Sequence, residues 1–130
     1  MAEIYLRFMA NGLQPSELAK DLNVPLEIHA EAGVIATKGR YKGQPSPYGS
    51  AIYDIKDPEK NLTQLVEDTI AKLFEWIKVL RDYKLDKITI GINTFGLSDY
   101  ELNLSNSSLA DLHFIGVELA IYSASNKIEP

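Results

Sequence analysis

Apolar and polar positions alternate near the start of the chain, where Ile4, Leu6 and Phe8 are separated by Tyr5, Arg7 and Met9. That two-residue period predicts a half-buried strand. Gly12 breaks it, and Pro15 suits the first turn of a helix, where its missing N–H would have had no partner. Leu18, Ala19 and Leu22 recur at helical spacing until Asn23 and Pro25, which predicts a two-turn helix over residues 15–22. Leu26 and Ile28 open a second extended piece. Val34, Ile35 and Ala36 are apolar without a clear period, and residues 39–49 read as a loop rich in glycine and proline. Ala51, Tyr53 and Ile55 suggest a strand, although the opposite phase through Ile52 fits nearly as well.

The strongest pattern lies between Asp57 and Tyr83. Leu62, Val66, Ile70, Leu73, Ile77 and Leu80 fall at steps of three or four and make one apolar stripe, widened by Leu65, Phe74 and Trp76. Asp57 as N-cap, Pro58 behind it and Glu59 near the positive end of the helix dipole predict the start. Lys72 follows Asp68 by four residues, a favourable pair on the wet side. One unbroken helix over this span would be about 40 Å long, at about 1.5 Å per residue.

Ile88, Ile90 and Ile92 alternate with Thr89, Gly91 and Asn93, which predicts a strand. Residues 96–99 read as a turn, with Tyr100, Leu102 and Leu104 as the returning strand of a hairpin. A short helix capped by Ser105, Asn106 or Ser107 carries Leu109, Leu112 and Phe114, and Gly116 suits its left-handed C-terminal position. Val117, Leu119 and Ile121 make the last strand, and residues 123–130 read as a frayed tail.

Because these strands alternate, the sheet should have one dry face and one wetter face. A sheet of four or five strands is about 20 Å wide and a helix with its side chains about 10 Å across, so one long and two short helices can cover one face but not both. The expected fold is α+β: a ferredoxin-like two-layer sandwich, a single domain over 1–130. It has a mainly antiparallel sheet with one long and two short helices on one face. Ile90, Leu102 and Leu119 then point inward. Tyr5, Arg7, Thr89, Gly91, Asn93, Glu101, Asn103, Glu118, Ala120 and Tyr122 occupy the open face, with Gly91 leaving a shallow dent.

The net charge of −5 argues against nucleic acid, whose binding is driven by basic side chains displacing counterions, though it leaves room for a local basic patch. Without cysteine there is no disulfide scaffold, thiolate metal site or cysteine nucleophile. Residues 1–8 hold no basic region followed by an apolar stretch, and no apolar run reaches membrane-spanning length. The expectation is a cytoplasmic protein with no membrane contact.

The order of features resembles a family of small bacterial proteins known only as domain of unknown function 4279. The resemblance rests on the first strand and Pro15-Ser16-Glu17-Leu18, Leu22-Asn23-Val24-Pro25 and the Lys38-Gly39 loop. It continues through the amphipathic helix, Leu102-Asn103-Leu104-Ser105 and the segment from Leu112 to Tyr122. The chain departs from that pattern after the glycine-rich loop, where Ala51, Ile52 and Tyr53 stand in place of a tryptophan. The resemblance implies a compact bacterial α+β domain and supplies no catalytic residues.

Three surfaces are candidates for chemistry. Glu27, His29 and Glu31 alternate, so on a strand they would share a face and could hold a divalent metal, against the plainer reading of a charged strand edge. The loop over 40–48 gathers Arg40, Tyr41, Lys42 and Tyr48, residue types that often anchor partners. The open sheet face offers Tyr5, Arg7, Asn93 and Tyr122. No nucleophile elbow or phosphate loop occurs, and His113 fits a helix C-terminus better than a catalytic role. The sequence therefore favours a non-enzymatic binding or protein-interaction domain without cofactor, with an immunity-type inhibitor of a basic partner as the specific version. A small metal-dependent enzyme or ligand binder using Glu27, His29 and Glu31 stands as one alternative, and a homodimer formed by a second copy as another.

Overall fold

The computed structural model describes residues 3–94 and 100–122. Its elements are β1 (Glu3–Asn11), α1 (Pro15–Leu22), β2 (Glu27–Ala30), β3 (Tyr48–Ile55), α2 (Leu62–Glu75), α3 (Ile77–Asp82), β4 (Lys87–Asn93), α4 (Asn106–Ile115) and β5 (Val117–Tyr122). The strands form one sheet in the order β2-β3-β1-β4-β5. The β1–β3, β1–β4 and β2–β3 pairs are antiparallel, whereas β4 and β5 run parallel. The fold is α+β as expected, but the sheet is mixed rather than mainly antiparallel. A parallel pair needs a crossover between its strands, and α4 lies in that connection.

Alternation in β1 sorts the two faces. Ile4, Leu6, Phe8 and Ala10 are buried. They meet Ile55, Tyr53, Ala51 and Gly49 across one ladder, which settles the phase of β3 in favour of residues 51, 53 and 55. Across the other ladder, Ile92, Ile90 and Ile88 oppose residues 4, 6 and 8. All four helices add to the same core: Leu18 and Leu22 from α1, Leu62 to Leu73 from α2, Leu80 from α3 and Leu112 from α4. Leu102 and Leu119 pack against it as expected. Tyr5, Arg7 and Met9 look the other way.

Three local expectations give way to better-satisfied alternatives. The long helix does not begin at Asp57, whose carboxylate instead accepts from the Glu59 N–H in a turn of its own. It begins at Leu62, because Asn61 and Gln64 cap it reciprocally: Asn61 Oδ1 accepts from the Gln64 N–H at 2.9 Å and Gln64 Oε1 from the Asn61 N–H at 3.0 Å. Nor is the helix unbroken. Trp76 adopts φ −94° and ψ 3°, dividing α2 from α3, and its buried indole meets Tyr53 edge-on with ring centroids 5.4 Å apart. Lys72 pairs with Glu75 rather than Asp68, which binds Lys60.

The third concerns the hairpin. Its turn lies outside the described residues, but Tyr100, Leu102 and Leu104 form no strand. The segment is held by Thr63, whose hydroxyl accepts from the Asn103 N–H at 2.9 Å. At α4, Ser105 provides the cap and Gly116 the left-handed end, with φ 84°. The tail over 123–130 lies outside the described residues.

Tyr83, which follows α3, donates its phenol to Asp21 in α1. Burial, then that bond, then the charges of Asp21 and Glu17 push the phenol up to about 12 from 10.0. The folded protein therefore keeps a proton that the unfolded chain releases near pH 10. The stabilising contribution is complete below that pH and disappears as pH rises through about 12. Ultraviolet titration of the tyrosines is expected to show a late-ionising phenol that Tyr83→Phe removes.

Candidate functional site

The face of the sheet that carries no helix is crossed by a ribbon of chain over residues 31–48. The ribbon folds back on itself by main-chain bonds: Gly33 N–H to Ser46 C=O at 2.8 Å, Ser46 N–H to Val34 C=O at 2.9 Å and Ala36 N–H to Gln44 C=O at 2.9 Å. Its base is fastened to the turn between β1 and α1. Gly12 N–H donates to Pro47 C=O at 2.9 Å, and Ala32 N–H donates to Leu13 C=O at 3.0 Å. Ser46 Oγ, buried, donates to Tyr48 C=O at 2.8 Å and fixes the entry into β3.

Glu31 completes the attachment. Its two carboxylate oxygens accept from the Ser16 N–H at 2.9 Å and the Ser16 hydroxyl at 3.0 Å. Gln14, the N-cap residue of α1, makes no side-chain cap, so Glu31 supplies one from a distant part of the chain. This accounts for the fate of the expected metal group. Glu27 and His29 do meet, at 3.1 Å, but β2 shifts register between Ile28 and Ala30 and Glu31 lies beyond its end. Among the described residues, no three His, Cys, Asp or Glu side chains are grouped to hold a metal ion.

Between ribbon and sheet lies a cleft of about 710 Å³. Arg7, Met9 and Ser50 of the open face form its floor, and Ile28, Val34, Ile35, Tyr41 and Tyr48 line much of the rest. Tyr41 and Tyr48 meet edge-on, 6.3 Å between ring centroids, and the Arg40 guanidinium lies 5.6 Å from the Tyr41 ring centre. Lys38 and Arg40 also border the cleft. Among the described residues no ion pair reaches Arg7, Lys38 or Arg40. Three cations thus face one carboxylate, Glu31, which is already engaged. The protein as a whole carries −5, so the cleft is a local reversal of sign.

The structure divides the residues singled out from the sequence. Arg40, Tyr41 and Tyr48 of the loop join Arg7 of the sheet in one site. Lys42 is exposed at the ribbon's far end. Tyr5, Asn93 and Tyr122 stand apart toward β4 and β5. The Tyr5 and Tyr122 phenols share a hydrogen bond; burial first, then that bond, raises the Tyr5 pKa. Tyr5 also covers Gly91: a Cβ built there would lie 2.1 Å from the Tyr5 ring, so the expected dent is filled. Asn93 donates to Glu3 Oε1 at 3.4 Å. Sequence reasoning missed Ser50, Met9, Ile28, Val34 and Ile35 as site residues. Opposition of Ser50 to Met9 across a ladder was the missing signal, and it appears only once the register is known.

No helix among the described residues is long and apolar enough to cross a membrane. No family model, curated protein or solved structure matches the chain.

Proposed function

We propose that this protein is a non-enzymatic binding domain and that the cleft between ribbon and sheet is its binding site. The observation that carries the reading is the convergence of two separately nominated surfaces, the Arg40–Tyr48 loop and the Arg7 face, on one concavity. Its volume of about 710 Å³ falls within the range of roughly 300–1,000 Å³ typical of small-ligand sites. Its lining combines apolar walls with a few unpaired polar groups, the usual division between affinity and orientation. Burial of the rest of the sheet under helices leaves this face as the accessible part of the scaffold. We read the supporting scaffold as a ferredoxin-like unit extended by α4 and β5. The β-α-β-β-α-β succession from β1 to β4, counting α2 and α3 as one broken helix, supports that reading.

A fragment screen followed by amide chemical-shift mapping tests the proposal, using uncharged and charged aromatic and aliphatic compounds. Perturbations are expected to concentrate at Arg7, Ser50 and residues 34–48. Binding scattered over the surface, or centred on Tyr5 and Tyr122, would overturn it.

A further inference from the structure

Two polar groups on the cleft floor have no partner. The Nε–H of Arg7 and the hydroxyl of Ser50 are closed off from solvent, and neither makes a hydrogen bond among the described residues. Ser50 is only 3% exposed. Buried donors of this kind are rare and costly, because each loses its water without gaining an acceptor. The register makes them a pair. Arg7 opposes Ile52 and Met9 opposes Ser50, so Arg7 and Ser50 are diagonal neighbours on the same face of β1 and β3. Such neighbours stand about 7–8 Å apart, within reach of a long side chain.

We propose that this floor is a receptor for a carboxylate whose body is apolar, an inference that rests on the cleft being the binding site. One oxygen accepts from the Arg7 guanidinium and the other from the Ser50 hydroxyl. A guanidinium matches the planar carboxylate, and charge-assisted bonds of this type are the strong ones. Met9, Ile28, Val34 and Ile35 supply the apolar surface beside it. A phosphate dianion fits less well. It would bring a second charge toward Glu31, and the floor holds a single cation with Lys38 and Arg40 on the ribbon side. Since both donors are shut off from water, the carboxylate reaches them as the ribbon draws back from the sheet. Among the described residues the ribbon's far end makes its main-chain bonds within itself, such as Gly43 N–H to Ala36 C=O at 2.9 Å, so that part can move without breaking the bonds of the base.

Calorimetric titration with octanoate, octan-1-ol and inorganic phosphate provides the test. Octanoate is expected to bind, with phosphate failing to compete and the alcohol at least tenfold weaker. Arg7→Met, which keeps the apolar stem, and Ser50→Ala should each weaken octanoate about ten- to a hundredfold, the range for a lost bond to a charged group. Both variants should weaken the alcohol much less than octanoate, since it offers no charge to the guanidinium, and their amide spectra report whether the fold is intact. A tripeptide with a free C-terminus, set against its amidated form, distinguishes a protein's terminal carboxylate from a free acid. Binding of either source supports the receptor. Equal affinity for octanoate and octan-1-ol, or octanoate binding unchanged in Arg7→Met, overturns the carboxylate receptor while leaving the cleft as a binding site. If neither octanoate nor the peptide binds while uncharged fragments still map to the cleft, the carboxylate receptor fails alone.

Discussion

Gly49→Ala is expected to destabilise the protein by about 3 kcal/mol, the upper part of the usual range for forcing extra atoms into a packed site. Gly49 is the second residue of β3 and pairs with Ala10 on β1. A Cβ at this position would lie 2.1 Å from the Leu13 carbonyl oxygen, 2.8 Å from its carbon and 2.9 Å from Pro15 Cδ. None of these can step aside by changing a rotamer. Leu13 is buried, its oxygen holds the Ala32 N–H of the ribbon, and Pro15 opens α1. Relieving the contact would move the turn to which the ribbon is fastened, so cleft binding should weaken together with stability. Gly91→Ala is the informative comparison. Its Cβ would be equally close to a neighbour, but that neighbour is the far end of the Tyr5 side chain, which can swing toward solvent. Urea unfolding should rank Gly49→Ala well below Gly91→Ala. The reverse order would mean that the close packing of β3 against the β1–α1 turn is wrong.

Period-two alternation in β1 identifies its buried residues directly, since a strand side is fixed by parity and Ile4, Leu6, Phe8 and Ala10 share one. Helix α1 was equally plain, because Pro15 and Asn23 bracket it; Asn23 takes the left-handed conformation at φ 58° that such an end requires. The start of α2 was obscured by competition between two plausible caps. Asp57 had proline and glutamate behind it, yet Asn61 and Gln64 satisfy two backbone donors reciprocally while Asp57 only closes a turn. The break at Trp76 left no trace in the spacing, because an apolar stripe continues across it. What decides it is a tertiary contact, the indole against Tyr53.

Parallel pairing of β4 and β5 was hidden for a related reason. Leu102 and Leu104 alternate like a strand and do pack against the core, but Thr63 takes the backbone N–H of Asn103. Hydrophobic pattern records which side chains are buried, not where their main-chain groups find partners. The candidate site was half legible. Arginine and tyrosine in a glycine-rich loop mark one candidate surface and Arg7 on a polar strand face another, but only the folded ribbon brings them to the same cleft. Glu31 shows the converse. Its spacing from Glu27 and His29 pointed to a metal group, while its actual partner is the start of α1.

Phe8→Ala should cost about 3–5 kcal/mol, against a total stability for a domain of this kind of about 5–15 kcal/mol. Phe8 has no solvent exposure and sits on the central strand, with Ala51 opposite it on one side and Ile88 on the other. Ala51 is too small to fill the space left by the ring, and the ladders hold both neighbouring strands in place, so the cavity cannot collapse. Phe114→Ala removes the same atoms from a ring that is 62% exposed. That ring stacks on Phe74 with centroids 6.1 Å apart and lies 5.2 Å from the Arg81 guanidinium, contacts that together contribute about 1 kcal/mol at such a site. Burial rather than residue type should therefore separate the two variants by at least about 2 kcal/mol in urea unfolding. Comparable losses would place Phe114 under a cover that the fold does not provide, or Phe8 outside the core on which the assignment of the two sheet faces depends.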